Sequence, residues 1–157
     1  MLKLIRIDDR LIHGQVAFTW TPALNIDCIV VANDRAATDE FLKMTLGLAK
    51  PAGVKLVIKT LRETIPFLND ARNAALSILV LIDSVKDAHT LVSEVAGVKS
   101  INFGGIRAKQ GARSVSKAIA LTDNDLILIR ELLEKGIELE VRQVPTDKKL
   151  GIESLLS

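Results

Sequence analysis

Short continuous runs of apolar residues alternate along the chain with longer stretches in which apolar residues recur every three or four positions. Continuous apolar runs of this length favour strands that are covered on both faces of a sheet. The runs that predict strands cover residues 2–7, 26–32, 54–58, 77–82, 98–103, 115–121 and 137–144.

The stretches between these runs predict helices. After Asp34, one apolar stripe has helical spacing and comprises Phe41, Leu42, Thr45, Leu48 and Ala49. Ser84 and Thr122 are the expected N-caps of two further helices, which Gly97 and Gly136 end. Alternation of strands and helices is typical of an α/β fold with a mainly parallel sheet and helices on both faces.

Composition limits the function classes. The 157 residues fit one domain, taken as residues 1–157, and 48% of them are apolar. A net charge of +2 and 3% aromatic residues argue against a nucleic-acid partner. The single Cys28 excludes an internal disulfide and a multi-cysteine zinc site. Because the chain shows no signal peptide or membrane-spanning run, we expect a cytoplasmic protein.

The loop after the first predicted strand concentrates reactive side-chain types. It reads Asp-Asp-Arg-Leu-Ile-His-Gly-Gln over residues 8–15, and parallel α/β sheets bind ligands at this end of their strands. A neutral imidazole at His13 is a competent nucleophile, and either Asp8 or Asp9 is placed to orient it. The guanidinium of Arg10 matches phosphate oxygens in shape and charge.

Two further residues of this loop suit an anion. Gly14 allows the backbone to approach a phosphate closely, and a helix that begins near Gln15 aims its first N–H groups at the same place. Together with a nucleophile, an orienting carboxylate and a guanidinium, these parts make a phosphoryl acceptor.

Other candidates are weaker. Ser84 follows the fourth predicted strand beside Asp83, and Gly104 and Gly105 follow the fifth. The glycines match neither a P-loop nor a dinucleotide fingerprint, so no nucleotide cofactor is expected. His89 is the only other histidine, and two distant histidines do not predict a metal site. The polar, glycine-rich loop 104–114 is predicted to be functional or mobile.

Residues 5–16, Ile-Arg-Ile-Asp-Asp-Arg-Leu-Ile-His-Gly-Gln-Val, closely resemble the opening signature of the IIB subunits of the mannose/fructose/sorbose family of the bacterial sugar phosphotransferase system. The Asn-Phe-Gly-Gly sequence at 102–105 resembles that family's Asn-x-Gly-Gly turn, and 136–138 and 144–147 resemble its last strand and tail. The resemblance extends over essentially the whole chain.

The resemblance implies a function. His13 would accept a phosphoryl group at Nδ1 from a phosphohistidine on a IIA protein and pass it to a sugar imported through the membrane IIC and IID subunits. Asp8, Arg6 and Arg10 would organise the site. The chain begins at the IIB signature, so we expect a separate IIA partner and a peripheral position at the inner face of the membrane.

The resemblance also implies a three-layer fold with a mostly parallel seven-stranded sheet in the order 3-2-4-1-5-6-7. The first strand then lies between the fourth and fifth, which would bring Ser84, Gly104 and Gly105 beside His13. The expected phosphate-binding residues are Arg6, Gly14, Gln15, Ser84, Gly104 and Gly105. The side chains expected to give this face a positive field are Arg6, Arg10, Arg107, Lys109 and Arg113.

Two alternatives stay open. A receiver-like domain also carries acidic pairs after its first strand, but its acceptor should follow the third strand, where Ile58-Lys59-Thr60 offers no carboxylate. A non-catalytic, flavodoxin-like binding module would make the first loop incidental. The sequence leaves open the sugar, a homo-oligomeric state, and whether Asp83 points away from the phosphate or pairs with Arg10.

Overall fold

A computed structural model describes residues 1–14 and 16–156. The strands in that part of the chain are β1 Leu2–Asp8, β2 Cys28–Ala32, β3 Lys55–Lys59, β4 Ile78–Ile82, β5 Ser100–Gly105, β6 Ala112–Ser114, β7 Ala120–Thr122, β8 Glu138–Val141 and β9 Leu150–Gly151. The α-helices are α1 Thr21–Ala23, α2 Asp34–Thr38, α3 Glu40–Leu48, α4 Leu61–Asn69, α5 Val85–Glu94 and α6 Asp123–Glu134. A π-helix covers Val16–Trp20, and 3-10 helices cover Ala71–Asn73 and Ile152–Leu155.

The main sheet has seven strands in the order β3-β2-β4-β1-β5-β8-β9. Its neighbouring strands are parallel except for β9, which pairs antiparallel with β8. Counted along the chain within this sheet alone, the order is 3-2-4-1-5-6-7, as the resemblance implied. The first strand is therefore central, and its carboxyl end lies between those of β4 and β5.

The expectation of a sheet strand at 115–121 is wrong. Instead, β6 and β7 form a separate antiparallel pair, and the backbone N–H groups of Val115 and Ser116 both donate to the Ile119 carbonyl. Polar Ser116 and Lys117 interrupt the apolar run, so the chain reverses there, and within the run only residues 119–121 are buried. The sixth strand of the main sheet is β8, from the predicted run 137–144.

Both faces of the sheet are covered by helices, which explains the continuous apolar runs. Alternate strand residues enter two cores: Ile7, Val30 and Val80 face one, and Leu4, Ile29 and Leu79 face the other. Helices α4, α5 and α6 cover the first core, whereas the π-helix and helices α2 and α3 cover the second. The fold therefore has three layers.

The apolar stripe predicted after Asp34 is only partly correct. The Asp39 side chain accepts a hydrogen bond from the Leu42 N–H at 3.1 Å and caps a separate helix, α3, whose core-facing positions are Leu42, Leu46 and Ala49. Leu46 is buried, but Phe41 and Leu48 are 74% and 85% exposed. In the described part of the chain, no helix is long and apolar enough to cross a bilayer.

The predicted N-caps are confirmed. The Ser84 hydroxyl accepts from the Asp87 N–H at 3.1 Å at the start of α5. Thr122 and Asp125 form a reciprocal capping box at the start of α6, in which each side chain accepts from the other's backbone N–H. Since α6 supplies Ile129 and Leu132 to the core, its cap contributes to global stability.

We expect Thr122→Ala to lower the free energy of unfolding by about 1 kcal/mol, because the Asp125 N–H loses its acceptor. Urea unfolding followed by circular dichroism measures this change. Thr122→Ser keeps the hydroxyl and serves as the matched control. Equal unfolding free energies for the alanine and serine variants would contradict the capping role.

Candidate active site

A tight turn follows β1 and sets the direction of the first loop. The Leu11 N–H donates to the Asp8 carbonyl at 2.8 Å, and Leu11 adopts a left-handed backbone with φ of 59°. Such a conformation is costly for a branched residue, on the order of 1–2 kcal/mol. Burial of the Leu11 and Ile12 side chains offsets this cost and returns His13 to the end of β1.

The ring of His13 is held by a buried carboxylate. Its Nε2 lies 2.9 Å from Oδ2 of Asp8, whose side chain is wholly buried, while the His13 side chain is 17% exposed. A carboxylate accepts hydrogen bonds and cannot donate them, so Nε2 carries the proton when the ring is neutral. The lone pair is then on Nδ1, which is the nitrogen that the resemblance implies as the phosphoryl acceptor.

Asp8 is held ionised by its partners. Burial by itself would raise the pKa of this carboxyl group, but hydrogen bonds from His13 and Arg10 outweigh it and lower the pKa from 3.8 to about 2. Arg10 donates from its backbone N–H at 3.1 Å and from Nε at 3.2 Å to Oδ1, and from Nη2 at 3.3 Å to Oδ2. The Arg10 side chain is 45% exposed, so it also faces solvent beside the ring.

Arg6 does not lie where a phosphate ligand would. Its side chain is 0% exposed, and Nη2 donates to Asp8 Oδ2 at 3.3 Å. Nη1 donates to Asn102 Oδ1 at 2.6 Å and to the Arg142 carbonyl at 3.0 Å. Burial lowers the Arg6 pKa, and the Asp8 carboxylate opposes that effect. The expectation of direct phosphate contact and of a surface field from Arg6 is therefore wrong, because β1 directs this side chain into the protein.

Trp20 covers the buried part of the site. Its ring is 1% exposed, and the guanidinium carbons of Arg6 and Arg142 lie 5.4 and 5.2 Å from its centroid. The indole N–H donates to the Gln143 carbonyl at 2.9 Å, and Arg142 Nε donates to Glu140 at 2.9 Å. Sequence reasoning missed this group; the one available signal was the charged pair Glu140 and Arg142 within a buried strand run.

The glycines after β5 are explained by close approach. A Cβ on Gly104 would lie within 2.7 Å of Arg6 Nε and would collide with the guanidinium. Gly104 therefore leaves room for the Arg6 guanidinium. A Cβ on Gly105 would lie 3.8 Å from Arg10 Nη2 and from Asp8 Oδ1, so Gly105 does lie at the edge of the site.

Asp9 anchors the neighbouring loop. Its Oδ2 accepts from the backbone N–H of Arg107 at 2.8 Å and from Arg107 Nε at 3.1 Å, and its own N–H donates to the Gly105 carbonyl at 2.9 Å. Asp9 is thus paired with Arg107 and not with the imidazole. Arg107, Lys109 and Arg113 are exposed on this loop, as expected for a positively charged face.

Gly14 and Ser84 follow the neighbouring central strands β1 and β4 of the sheet. Gly14 is exposed and begins the helical turn after His13, whereas Gln15 lies outside the described residues. Ser84 lies at the carboxyl end of β4, the strand next to β1, and serves as the α5 cap. Asp83 Oδ2 accepts from Asn33 Nδ2 at 2.8 Å, so Asp83 is oriented toward the end of β2 and is not paired with Arg10.

In residues 1–14 and 16–156, no three His, Cys, Asp or Glu side chains are grouped closely enough to hold a metal ion.

Known proteins resemble this chain over its full length. The mannose-specific EIIAB component of Escherichia coli K12 is 36% identical over 157 residues, which are 100% of this chain and 49% of that protein. The chain thus spans about half the length of that relative. A probable phosphotransferase enzyme IIB component of Streptococcus pyogenes is 35% identical, with 100% of both chains covered.

Solved structures agree with the sequence comparison. The IIBSor domain of the sorbose permease from Klebsiella pneumoniae matches with a TM-score of 0.94 and 29% identity, over 99% of this chain and 96% of that one. The family described as the PTS system sorbose subfamily IIB component matches residues 2–157. This chain therefore belongs to the sorbose subfamily of phosphotransferase-system IIB components.

Proposed function

We propose that this chain carries a phosphoryl group on Nδ1 of His13, between a phosphohistidine on a IIA protein and a sugar. The observation that supports this most directly is the 2.9 Å contact between His13 Nε2 and the buried Asp8 carboxylate. It assigns the proton to Nε2 and leaves Nδ1 as the nucleophile on a partly exposed ring.

Acceptance requires no proton transfer. The Nδ1 lone pair forms a bond to phosphorus while the bond from phosphorus to the donor imidazole breaks, and that imidazole leaves with its electron pair. Positive charge develops on the His13 ring as the bond forms, and the Asp8 carboxylate stabilises it through Nε2–H. The phosphoryl group is loosely bonded in the transition state, so positioning and charge supply most of the acceleration.

Arg10 is the cation best placed for the transferred group. Its guanidinium is anchored on Asp8 but half-exposed, so it can hold phosphoryl oxygens beside the ring. Gly14, Gln15, Ser84 and Gly105 remain the proposed further contacts of the phosphoryl group. Arg6 acts through Asp8 and is a positioning residue, and Gly104 acts by accommodating Arg6.

The proposed partners are those of the family relay. A IIA protein would deliver the phosphoryl group, and membrane IIC and IID subunits would present the sugar, at the inner face of the membrane. In the second transfer a sugar hydroxyl oxygen attacks phosphorus, the bond to Nδ1 breaks, and the hydroxyl proton is released as the ester forms. The exposed cations Arg107, Lys109 and Arg113 suit an acidic partner surface.

The geometry disfavours both alternatives. After β3, where a receiver-like domain would have its acceptor carboxylate, Thr60 caps α4. A purely structural module would have no need to bury an ionised carboxylate and a guanidinium beside a partly exposed imidazole, because such burial is costly.

His13→Gln should abolish phosphoryl acceptance without unfolding the protein, because the reacting nitrogen is removed while a glutamine amide N–H can still donate to the buried Asp8 carboxylate. Incubation with the general phosphotransferase proteins, several IIA proteins and labelled phosphoenolpyruvate measures this, and the wild-type label should survive alkali and be lost in acid. His89→Gln is the matched control, since His89 pairs with Glu131 on the surface and should label normally. Undiminished labelling of His13→Gln would contradict the assignment.

Arg10→Ala should slow phosphoryl acceptance by orders of magnitude, because the transferred group and Asp8 both lose the guanidinium. Arg10→Lys should recover part of the rate, since it keeps the charge and loses the planar fork. Rapid-quench labelling measures both, with exposed Arg62→Ala as the control. A decrease of less than about tenfold, roughly 1.4 kcal/mol, would mean that Arg10 is only structural.

The depressed pKa of Asp8 predicts a specific acid sensitivity. A carboxyl group with a folded pKa of about 2 and an ordinary value of 3.8 stabilises the fold above about pH 4, and this contribution is lost as the pH falls toward 2. The loss should be on the order of 2 kcal/mol in urea unfolding and should be absent in Asp8→Asn. The ¹³C carboxyl resonance of Asp8 gives the pKa directly, and titration near the ordinary value would contradict the hydrogen-bonded arrangement.

A further inference from the structure

A pocket of about 440 Å³ opens beside Arg10 and does not include His13. Its walls are the end of β5 and the turn between β6 and β7. Backbone hydrogen bonds of 2.9 Å from Ile106 N–H to the Ala118 carbonyl and from Ala120 N–H to the Ile106 carbonyl hold these walls together. The volume is in the range of small-ligand sites.

The pocket lining is rich in uncommitted hydrogen-bond donors. It includes the hydroxyls of Ser114 and Ser116 and the ammonium group of Lys117, and no group in residues 1–14 and 16–156 forms a hydrogen bond with any of the three. Arg107 also lines the pocket and uses its backbone N–H and Nε on Asp9, with its side chain otherwise 74% exposed. Ser114 and Lys117 are exposed and Ser116 is half-buried, so these donors face water and are available to an external acceptor.

The charge of the lining indicates what that acceptor is. Arg10, Arg107 and Lys117 contribute three cations against one carboxylate, that of Asp9, whose Oδ2 is bonded to Arg107 and whose buried Oδ1 has no hydrogen-bond partner in the described residues. Arginine and lysine in this arrangement suit a phosphate dianion. The two serine hydroxyls suit the hydroxyl groups of a carbon skeleton attached to that phosphate.

We propose that this pocket binds a small hydroxylated phosphate monoester and that Arg10 links its occupancy to His13. Arg10 contacts the pocket and also both oxygens of Asp8, which orients the imidazole. An ester in the pocket attracts the Arg10 guanidinium and competes with Asp8 and with the transferred phosphoryl group. The sugar phosphate released by the reaction is such an ester, so the pocket gives product inhibition; this second step rests on the proposed function.

Binding is tested on unphosphorylated wild-type protein and on His13→Gln by titrating mannose 6-phosphate and recording backbone amide NMR spectra. We expect saturable shifts in residues 105–108 and 114–120 in both proteins, weaker binding of inorganic phosphate, and no binding of mannose. Shifts elsewhere only, or equal affinity for inorganic phosphate and the ester, would overturn the proposed ligand class.

Side-chain variants test the residues. Lys117→Gln combined with Ser116→Ala should raise the dissociation constant at least tenfold, and exposed Lys86→Gln on α5 should not change it. Both replaced lysines are exposed, so folding is expected to survive, and thermal unfolding checks it. Unchanged affinity in the double variant would refute the site, and amide shifts there caused only by a IIA protein would make it a protein-docking surface instead.

Inhibition tests the link to His13. Mannose 6-phosphate should slow labelling of the wild-type protein at concentrations matching its dissociation constant, and Lys117→Gln should need at least tenfold more. If labelling of His13 fails altogether, the proposed function and the inhibition fail while the titration still reports on the pocket. Normal labelling without saturable ester binding would overturn this inference alone.

Discussion

An ionised carboxylate inside the protein, that of Asp8, is the constraint on which the site depends. Taking such a charge out of water costs several kcal/mol unless its lone pairs are filled by well-placed donors. Here Arg6, Arg10 and His13 fill them, and the pKa of about 2 reflects the result. The same contacts fix the imidazole tautomer and anchor the half-exposed guanidinium of Arg10 beside it.

Arg6 connects the buried Asp8 carboxylate to other elements of the fold. A buried guanidinium also needs acceptors, and these come from Asn102 on β5 and from carbonyls of Arg142 and Gln143 after β8. Trp20 from the π-helix covers it, and Gly104 leaves it room. Because the two adjacent strands β1 and β5 and the chain after β8 all supply parts, the loop that carries His13 rests on a rigid support, as the proposed phosphoryl transfer needs.

The charged side chains around His13 have separate partners. Asp9 holds the polar loop through Arg107, so the loop's other cations project from a fixed backbone. Asp83 is oriented toward Asn33, which keeps one negative charge from pairing with Arg10. Arg10 donates to both carboxylate oxygens of Asp8 and also lines the neighbouring pocket, which is why the proposed ligand of that pocket would act on the imidazole through Arg10.

The sequence alone determined the sheet, the layers, the helix caps and the loop with His13, Asp8 and Arg10, because runs, caps and a dense motif are local signals. It misplaced the strand at 115–121, since a turn at Ser116 reverses the chain, and part of the α3 stripe, since the apolar Phe41 and Leu48 lie on the solvent side of that helix. Only the tertiary structure showed that Arg6 is buried, that Asp8 rather than Asp9 holds the ring, and that Trp20 and Arg142 cover the site. These facts depend on contacts between residues far apart in the chain, such as Arg6 and Arg142, and no local pattern encodes which distant donors and acceptors a fold brings together.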